Sequence, residues 1–446
     1  MSDSQGSGVL ASPAPSLPEE LWLFDRSRYV VGLGHCAHRR FLEYHSGPQY
    51  LGIRRVAQSI PLSTGGTYHL GVALILTHKG PDPASLSDDS IRQLYRPLIQ
   101  EVVQDYAETA SKSGLMDLAG EEARYKIQEQ ACLCEGMLWG FVRGCLRRVH
   151  ELFEILEVEQ EDLVRLTEGE PARDGRPALL PVVYQVRPDV LLRVRETKLL
   201  ATLDLKTGYR LDDKWEAQFT DSVQMATQGL GAEERLKERV AGYYVLGVQK
   251  GYQDRAKDED GNPMGPRRQR SPFTYLYHLN TGISDEWESR YEYKDPQTGK
   301  KRRLGKDWRL EPVWQQDLPR AKDVNPAEEW AWKLPMDVIY DQFKLVGMFE
   351  RHQTLIDNFL QEAPHEEIRW QERLHLVRNE GVPAGQVIPR SWNCFGEWGR
   401  ACSFLPLCYN HAAPPPYETR MPHHEAEAQQ AGVKVVYFGE EQEVDE

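Results

Sequence analysis

The chain has 446 residues, of which 40% are apolar and 27% charged, and a formal net charge of −14. This allows a sizeable core in one large domain or two ordinary ones, and the absence of any run of about 18 apolar residues argues against a membrane span. The acidic total does not exclude a polyanionic partner, because the charge is uneven: residues 261–310 hold eleven bases against six acids, whereas 417–446 hold eight acids against two bases.

Residues 1–20 are rich in Ser, Pro and Gly and read as a disordered lead-in, without the basic start and apolar stretch of a signal peptide. Seven cysteines without such a signal point to a reducing compartment, hence to a cytoplasmic, non-secreted protein. A single domain is expected over 21–410. A helix starts near Gly34 within 27–44, around Cys36. Ser63-Thr64-Gly65-Gly66 signals a turn before a helical or mixed stretch at 68–77. Residues 81–151 read as a helical insertion. There Ile91, Leu94, Leu98, Val102 and Tyr106 recur at helical spacing, with a kink or break expected at Pro97. Leu133, Met137, Phe141 and Cys145 form a second stripe. Short strands follow at 152–158, 180–185, 190–194 and 199–205. A helix is expected at 220–230 and a buried strand at 242–248, which makes 186–250 the sheet core. A basic β-rich insertion spans 251–310, with a strand at 273–279 and a basic turn at 295–306. Helices return between 325 and 379. A cysteine cluster at 390–410 and an acidic, mostly flexible tail at 411–446 close the chain. This order predicts an α/β fold with a mixed central sheet flanked by helices.

The chemistry concentrates at Arg187-Pro188-Asp189 and Asp204-Leu205-Lys206-Thr207-Gly208. Residues two apart on a strand share a face, so Asp204 and Lys206 point together while Leu205 points into the core. Asp189, at the start of a neighbouring strand, is placed to meet them. Two carboxylates and a lysine suit phosphodiester hydrolysis. Oxygen ligands hold Mg²⁺ or Mn²⁺, the ion activates water and offsets phosphate charge, and a lysine orients the water or stabilises the anionic transition state.

These motifs resemble the PD-(D/E)XK nuclease superfamily, and within it the RecB-like exonucleases. The resemblance implies a restriction-endonuclease-like core, with Asp189 and Asp204 as metal ligands and Lys206 as the catalytic lysine. It also implies that His69, in Gly65-Gly66-Thr67-Tyr68-His69, is a metal ligand and that Gln224 assists substrate placement. An assisting glutamate is implied on an earlier strand: Glu159 is the first candidate, with Glu157 and Glu154 as rivals. The family often carries a tyrosine four residues after the glutamine; here Gln228 stands there.

Cys394, Cys402 and Cys408 cluster near the C-terminus, and Cys36 lies far upstream. Four thiolates bind zinc or an iron–sulfur cluster. Some RecB-like nucleases, of the CRISPR-adaptation and helicase–nuclease types, close the domain with one N-terminal and three C-terminal cysteines around a [4Fe–4S] cluster. The resemblance implies this role for Cys36, Cys394, Cys402 and Cys408, with zinc as the lesser alternative. Cys132, Cys134 and Cys145 read as buried structural thiols.

The expected function is a Mg²⁺- or Mn²⁺-dependent deoxyribonuclease, an exonuclease or end-processing enzyme. The alternative is a catalytically silent nucleic-acid-binding or assembly module. The expected partners are DNA with a free end or a single strand and, where strands must be separated, a helicase or recombination protein. The setting would be cytoplasmic or nucleoid-associated. The bases Arg267, Arg268, Arg270 and Lys300, Lys301, Arg302 and Arg303 are candidates to guide the phosphate backbone.

Overall fold

The computed structural model describes residues 20–31, 36–47, 50–56, 60–114, 120–173, 177–208, 210–250, 336–390, 402–408 and 416–433, with islands at 256–257, 263–264, 291–294, 301–304, 328 and 332. The strands are β1 (Trp22–Phe24), β2 (Ile53–Arg55), β3 (Phe153–Val158), β4 (Asp162–Arg165), β5 (Val182–Val186), β6 (Val190–Val194), β7 (Leu200–Gly208), β8 (Val240–Gln249), β9 (Ala256–Lys257), β10 (Pro263–Met264), β11 (Tyr291–Lys294), β12 (Lys301–Leu304), β13 (Phe343–Glu350) and β14 (Tyr417–Thr419). The helices are α1 (Arg26–Val30), α2 (Ala37–His45), α3 (Ile60–Thr77), α4 (Asp88–Ser113), α5 (Gly120–Gly144), α6 (Leu146–Leu152), α7 (Asp213–Thr220), α8 (Val223–Thr227), α9 (Leu230–Leu236), α10 (Met336–Tyr340), α11 (Gln353–Arg378), α12 (Ala384–Val387), α13 (Leu405–Cys408) and α14 (Glu425–Gln430).

The fold is a mixed α/β arrangement around a five-stranded sheet of order β13-β8-β7-β6-β3. β7 and β8 run parallel, and the other neighbours are antiparallel. The first six residues of β7 are all buried, as are the last five of β8. Strands covered on both faces read as near-continuous apolar runs, and these do. On one face, Leu203, Leu205, Leu246 and Val248 pack against Tyr68, Val72, Met137 and Phe141 from α3 and α5. A second sheet, β1-β5-β4, packs its Phe24, Val164 and Tyr184 against Phe359 and Ala363 of α11. A third pairing joins β2 to β14.

The turn signal at 63–66 is absorbed into α3, which is helical from Ile60. Gly65 is needed for close approach: a Cβ there would stand 3.2 Å from Thr207 Oγ1 and 3.5 Å from Lys250 Nζ. Helix α4 does not end at Pro97. The proline removes one hydrogen bond, but Ile91, Tyr95, Ile99, Val102 and Tyr106 bury the stripe on either side of it. Leu94 and Leu98, expected on that stripe, flank it half-buried. The helices of 81–151 supply much of the principal core.

The single helix expected at 220–230 is three short helices. Asp212 caps α7 and Ser222 caps α8, each accepting from a first-turn N–H, which interrupts the run. β13 was not expected among the helices of 325–379. It is a largely exposed edge strand, so it carries little apolar alternation, and backbone pairing to β8 defines it. The tail expected to be mostly flexible enters the fold: 416–433 contributes β14 and α14. In the basic stretch, β12 carries Lys301, Arg302 and Arg303 and pairs with β11, so part of the expected turn is strand. Arg267, Arg268, Arg270, Lys300 and the strand expected at 273–279 lie outside the described residues. Among the described residues, no helix is long and apolar enough to cross a membrane.

Candidate functional site

Asp204 sits inside β7 and is 1% exposed. Its neighbours Leu203 and Leu205 point into the helical core, so strand alternation sends Asp204 and Lys206 to the opposite face. The Lys206 ammonium contacts Asp204 Oδ2 directly. Asp189 begins the turn into β6, and its Oδ2 accepts a hydrogen bond from the Leu205 N–H at 2.6 Å. This bond locks the carboxylate against β7. His69 comes from α3, with Nδ1 3.5 Å from Asp189 Oδ2.

Glu159 completes the group. It follows β3 with φ of 52°, in the left-handed region that non-glycine residues seldom occupy. Its N–H donates to the Asp189 carbonyl at 3.0 Å. Its carboxylate pairs with Arg187 at 3.0 Å. Glu157 instead pairs with Arg235, and Glu154 lies nearer the other end of β3, paired in register with Arg193. Of the three candidate glutamates, Glu159 is therefore the one beside the aspartates.

Burial raises the pKa values of Asp204, Asp189 and Glu159, and the repulsion of Asp189 adds to it at both Asp204 and Glu159. Lys206 acts in the opposite direction at both aspartates. Burial, followed by the Lys206 charge, pushes His69 down to about 4, which leaves a neutral imidazole near pH 7. Lys250, at the end of β8, is brought down to about 8 by burial. Three carboxylates and a neutral imidazole form an oxygen-rich donor set that suits a hard divalent cation. The mutual repulsion is what such an ion would relieve. Among the described residues, no three such side chains are closed into a coordination sphere. The donor chemistry fits; the closure would have to come with the ion.

Gln224 stands half-buried on α8, and its side chain makes no hydrogen bond to the carboxylates among the described residues. Gln228 is buried and donates to Thr202 Oγ1 at 2.7 Å, which ties the helical segment to β7 one side-chain position from Asp204 on the same face. A cavity of about 530 Å³, lined by Asp88, Arg143, Arg147, Arg148 and Tyr340 among others, contains none of these site residues.

The cysteines lie elsewhere. Cys36 is the N-cap of α2, and Cys402 and Cys408 bracket a turn in which Cys408 N–H donates to Phe404 O at 3.0 Å. All three are half-buried. Arg390 donates to the Cys408 carbonyl at 3.1 Å and lies within electrostatic reach of His38, two residues from Cys36. The pairing of β2 with β14 draws the same two chain regions together. Cys394 lies outside the described residues, so the set of four is not assembled among them. Cys134 and Cys145 are buried thiols, and Cys132 is half-buried. Burial pushes Cys132 and Cys134 up to about 12 and Cys145 higher still, which makes them poor thiolate donors.

Two further groups had no usable sequence signal. Arg26 opens α1 near Asp204. His424 lies between Asp25, at 3.3 Å, and Glu161, at 3.0 Å. Each stands in a segment without a recognisable pattern and acquires meaning only from its neighbours. No protein-family model matches the chain, and no curated protein matches it in sequence.

Proposed function

We propose that this chain is a Mg²⁺- or Mn²⁺-dependent DNA nuclease with a PD-(D/E)XK core of the RecB-like kind, acting on DNA ends. The observation that carries this reading is the convergence of Asp189, Asp204, Lys206 and His69 at one end of the central sheet. Asp189, Asp204 and His69 would hold the ion, which supplies Lewis-acid stabilisation of phosphate charge when bound. Lys206 places an ammonium where a nonbridging phosphate oxygen gains charge as the water oxygen bonds to phosphorus and the bond to the departing sugar oxygen breaks. Glu159, whose pKa burial and Asp189 push up to about 7, is suited to exchange a proton with the attacking water. Gln224, on α8, assists substrate placement only if the substrate reaches it. Cys36, Cys394, Cys402 and Cys408 hold a structural [4Fe–4S] cluster in this reading, with zinc as the alternative. A helicase or recombination partner would supply separated strands where the substrate needs them.

The test is digestion of end-labelled single- and double-stranded DNA, linear and circular, with Mg²⁺ or Mn²⁺. Wild type should cut and show which form it prefers, while Lys206→Ala and Asp204→Ala should not cut. Equal activity in all three proteins would place the activity elsewhere. No cutting by wild type on any of these DNAs would favour the silent binding module.

A further inference from the structure

We propose that Arg26 is a substrate-binding residue of this site and holds a backbone phosphate beside Asp204. This rests on the nuclease reading and adds a contact to it. β1 and β5 run parallel, with Phe24 opposite Tyr184. The two strands therefore end side by side. β5 continues through Arg187 and Pro188 to Asp189, and β1 continues through Asp25 into Arg26. The guanidinium is thus delivered to the same end of the fold as the carboxylates. It lies within electrostatic reach of Asp204.

The decisive feature is what Arg26 lacks. Its Nε is buried with no hydrogen-bond partner, and its guanidinium has no hydrogen bond or ion pair among the described residues. The buried arginines Arg28, Arg40, Arg351 and Arg420 each leave one nitrogen unbonded too, but each keeps a carboxylate partner: Arg28 and Arg420 pair with Glu427, Arg40 with Glu367 and Arg351 with Glu233. At the site itself, Arg187 is matched to Glu159 and Lys206 to Asp204. Partly burying a guanidinium without a partner is unfavourable. A planar fork of donors beside a metal-type carboxylate group suits a phosphate oxygen pair, which it can bind in bidentate fashion.

The experiment uses the full chain, Mn²⁺ and linear DNA carrying single neutral methylphosphonate linkages at successive positions from the end. Wild type should lose on the order of a hundredfold in kcat/KM at one linkage near the cut. Arg26→Ala should be slower on unmodified DNA by a similar factor and should lose nothing further at that linkage, and Arg26→Lys should recover part of the rate. Thermal midpoints recorded alongside separate a folding defect from a lost contact, and the linkage profile of wild type stands without any variant. Unchanged kcat/KM in Arg26→Ala, or the same linkage profile in both proteins, overturns the assignment while leaving the nuclease reading intact. A wild type that cuts none of the DNAs overturns both.

Discussion

His69 Nδ1 lies 3.5 Å from Asp189 Oδ2, joining the helical layer to the entry of β6 within electrostatic reach of Asp204. The same Asp189 oxygen accepts the Leu205 N–H. A single carboxylate thereby fixes the spacing between α3 and β7, and changes on either side should be felt in the other.

Asp204→Asn should abolish Mn²⁺-dependent cleavage, by about a hundredfold or more, while leaving the fold at least as stable as wild type. Burial raises the pKa of Asp204 in the folded chain. The ionised form is therefore disfavoured on folding, and stability falls as pH rises beyond the carboxylate's ordinary value. A neutral amide avoids that penalty. Thermal unfolding at pH 7 in chelator checks it; a clear drop in the midpoint would contradict the account.

His69→Ala should weaken Mn²⁺ binding by roughly tenfold or more with little change in melting temperature, because the imidazole is partly exposed and its contact with Asp189 is long, at 3.5 Å. Titration of the ion by calorimetry, with Asp189→Ala as the comparison, reads this directly. Equal affinities in wild type and His69→Ala would remove His69 from the ligand set.

The pH dependence of stability should carry a signature of His424. Although burial opposes it, the hydrogen bonds and charges of Asp25 and Glu161 raise this imidazole to about 9. A raised histidine contributes stability that is fully present below its ordinary value of 6.5 and is lost as pH rises through about 9. The amount is on the order of 3 kcal/mol. Glu161 is lowered, chiefly by its hydrogen bond to His424 acting against burial; its part of the same contact is present above the ordinary carboxylate value and lost as pH falls through the lowered one. Urea unfolding of wild type between pH 6.5 and 9.5 should show the loss, and the stability difference between wild type and His424→Gln should shrink across that range.

Arg40 and Glu367 form a fully buried ion pair, with both side chains 0% exposed, and Trp22 Nε1 donates to the same carboxylate at 2.8 Å. Glu367→Ala leaves the guanidinium buried without its partner and should cost about 3–5 kcal/mol. A loss of unfolding free energy of less than about 1 kcal/mol in urea would show that water or another group takes over.

Cys36→Ala or Cys402→Ala should lower soluble yield and remove a brown absorbance near roughly 400 nm, because binding of a cluster is coupled to folding. Iron content and the visible spectrum of the protein purified without air check this. Equal iron in wild type and both variants would end the cluster reading, and bound zinc in its place would favour the alternative.

The sequence by itself determined the local side of this protein. Asp204 and Lys206 share a face because strand alternation has a period of two, and the apolar runs of β5, β6, β7 and β8 mark strands because both faces are covered. The caps at Asp212 and Ser222 that split one expected helical stretch were not legible there, since a cap competes with the helix it follows. What the tertiary structure decided concerns residues distant in the chain. It selected Glu159 over Glu157 and Glu154 by where β3 ends, and it brought His424 between Asp25 and Glu161. It made β13 a strand through backbone pairing and brought Arg26 within electrostatic reach of Asp204. Periodicity is encoded within a few residues, whereas partnership depends on which segments the core packs together. The motif was therefore legible in the sequence, and most of its surroundings were not.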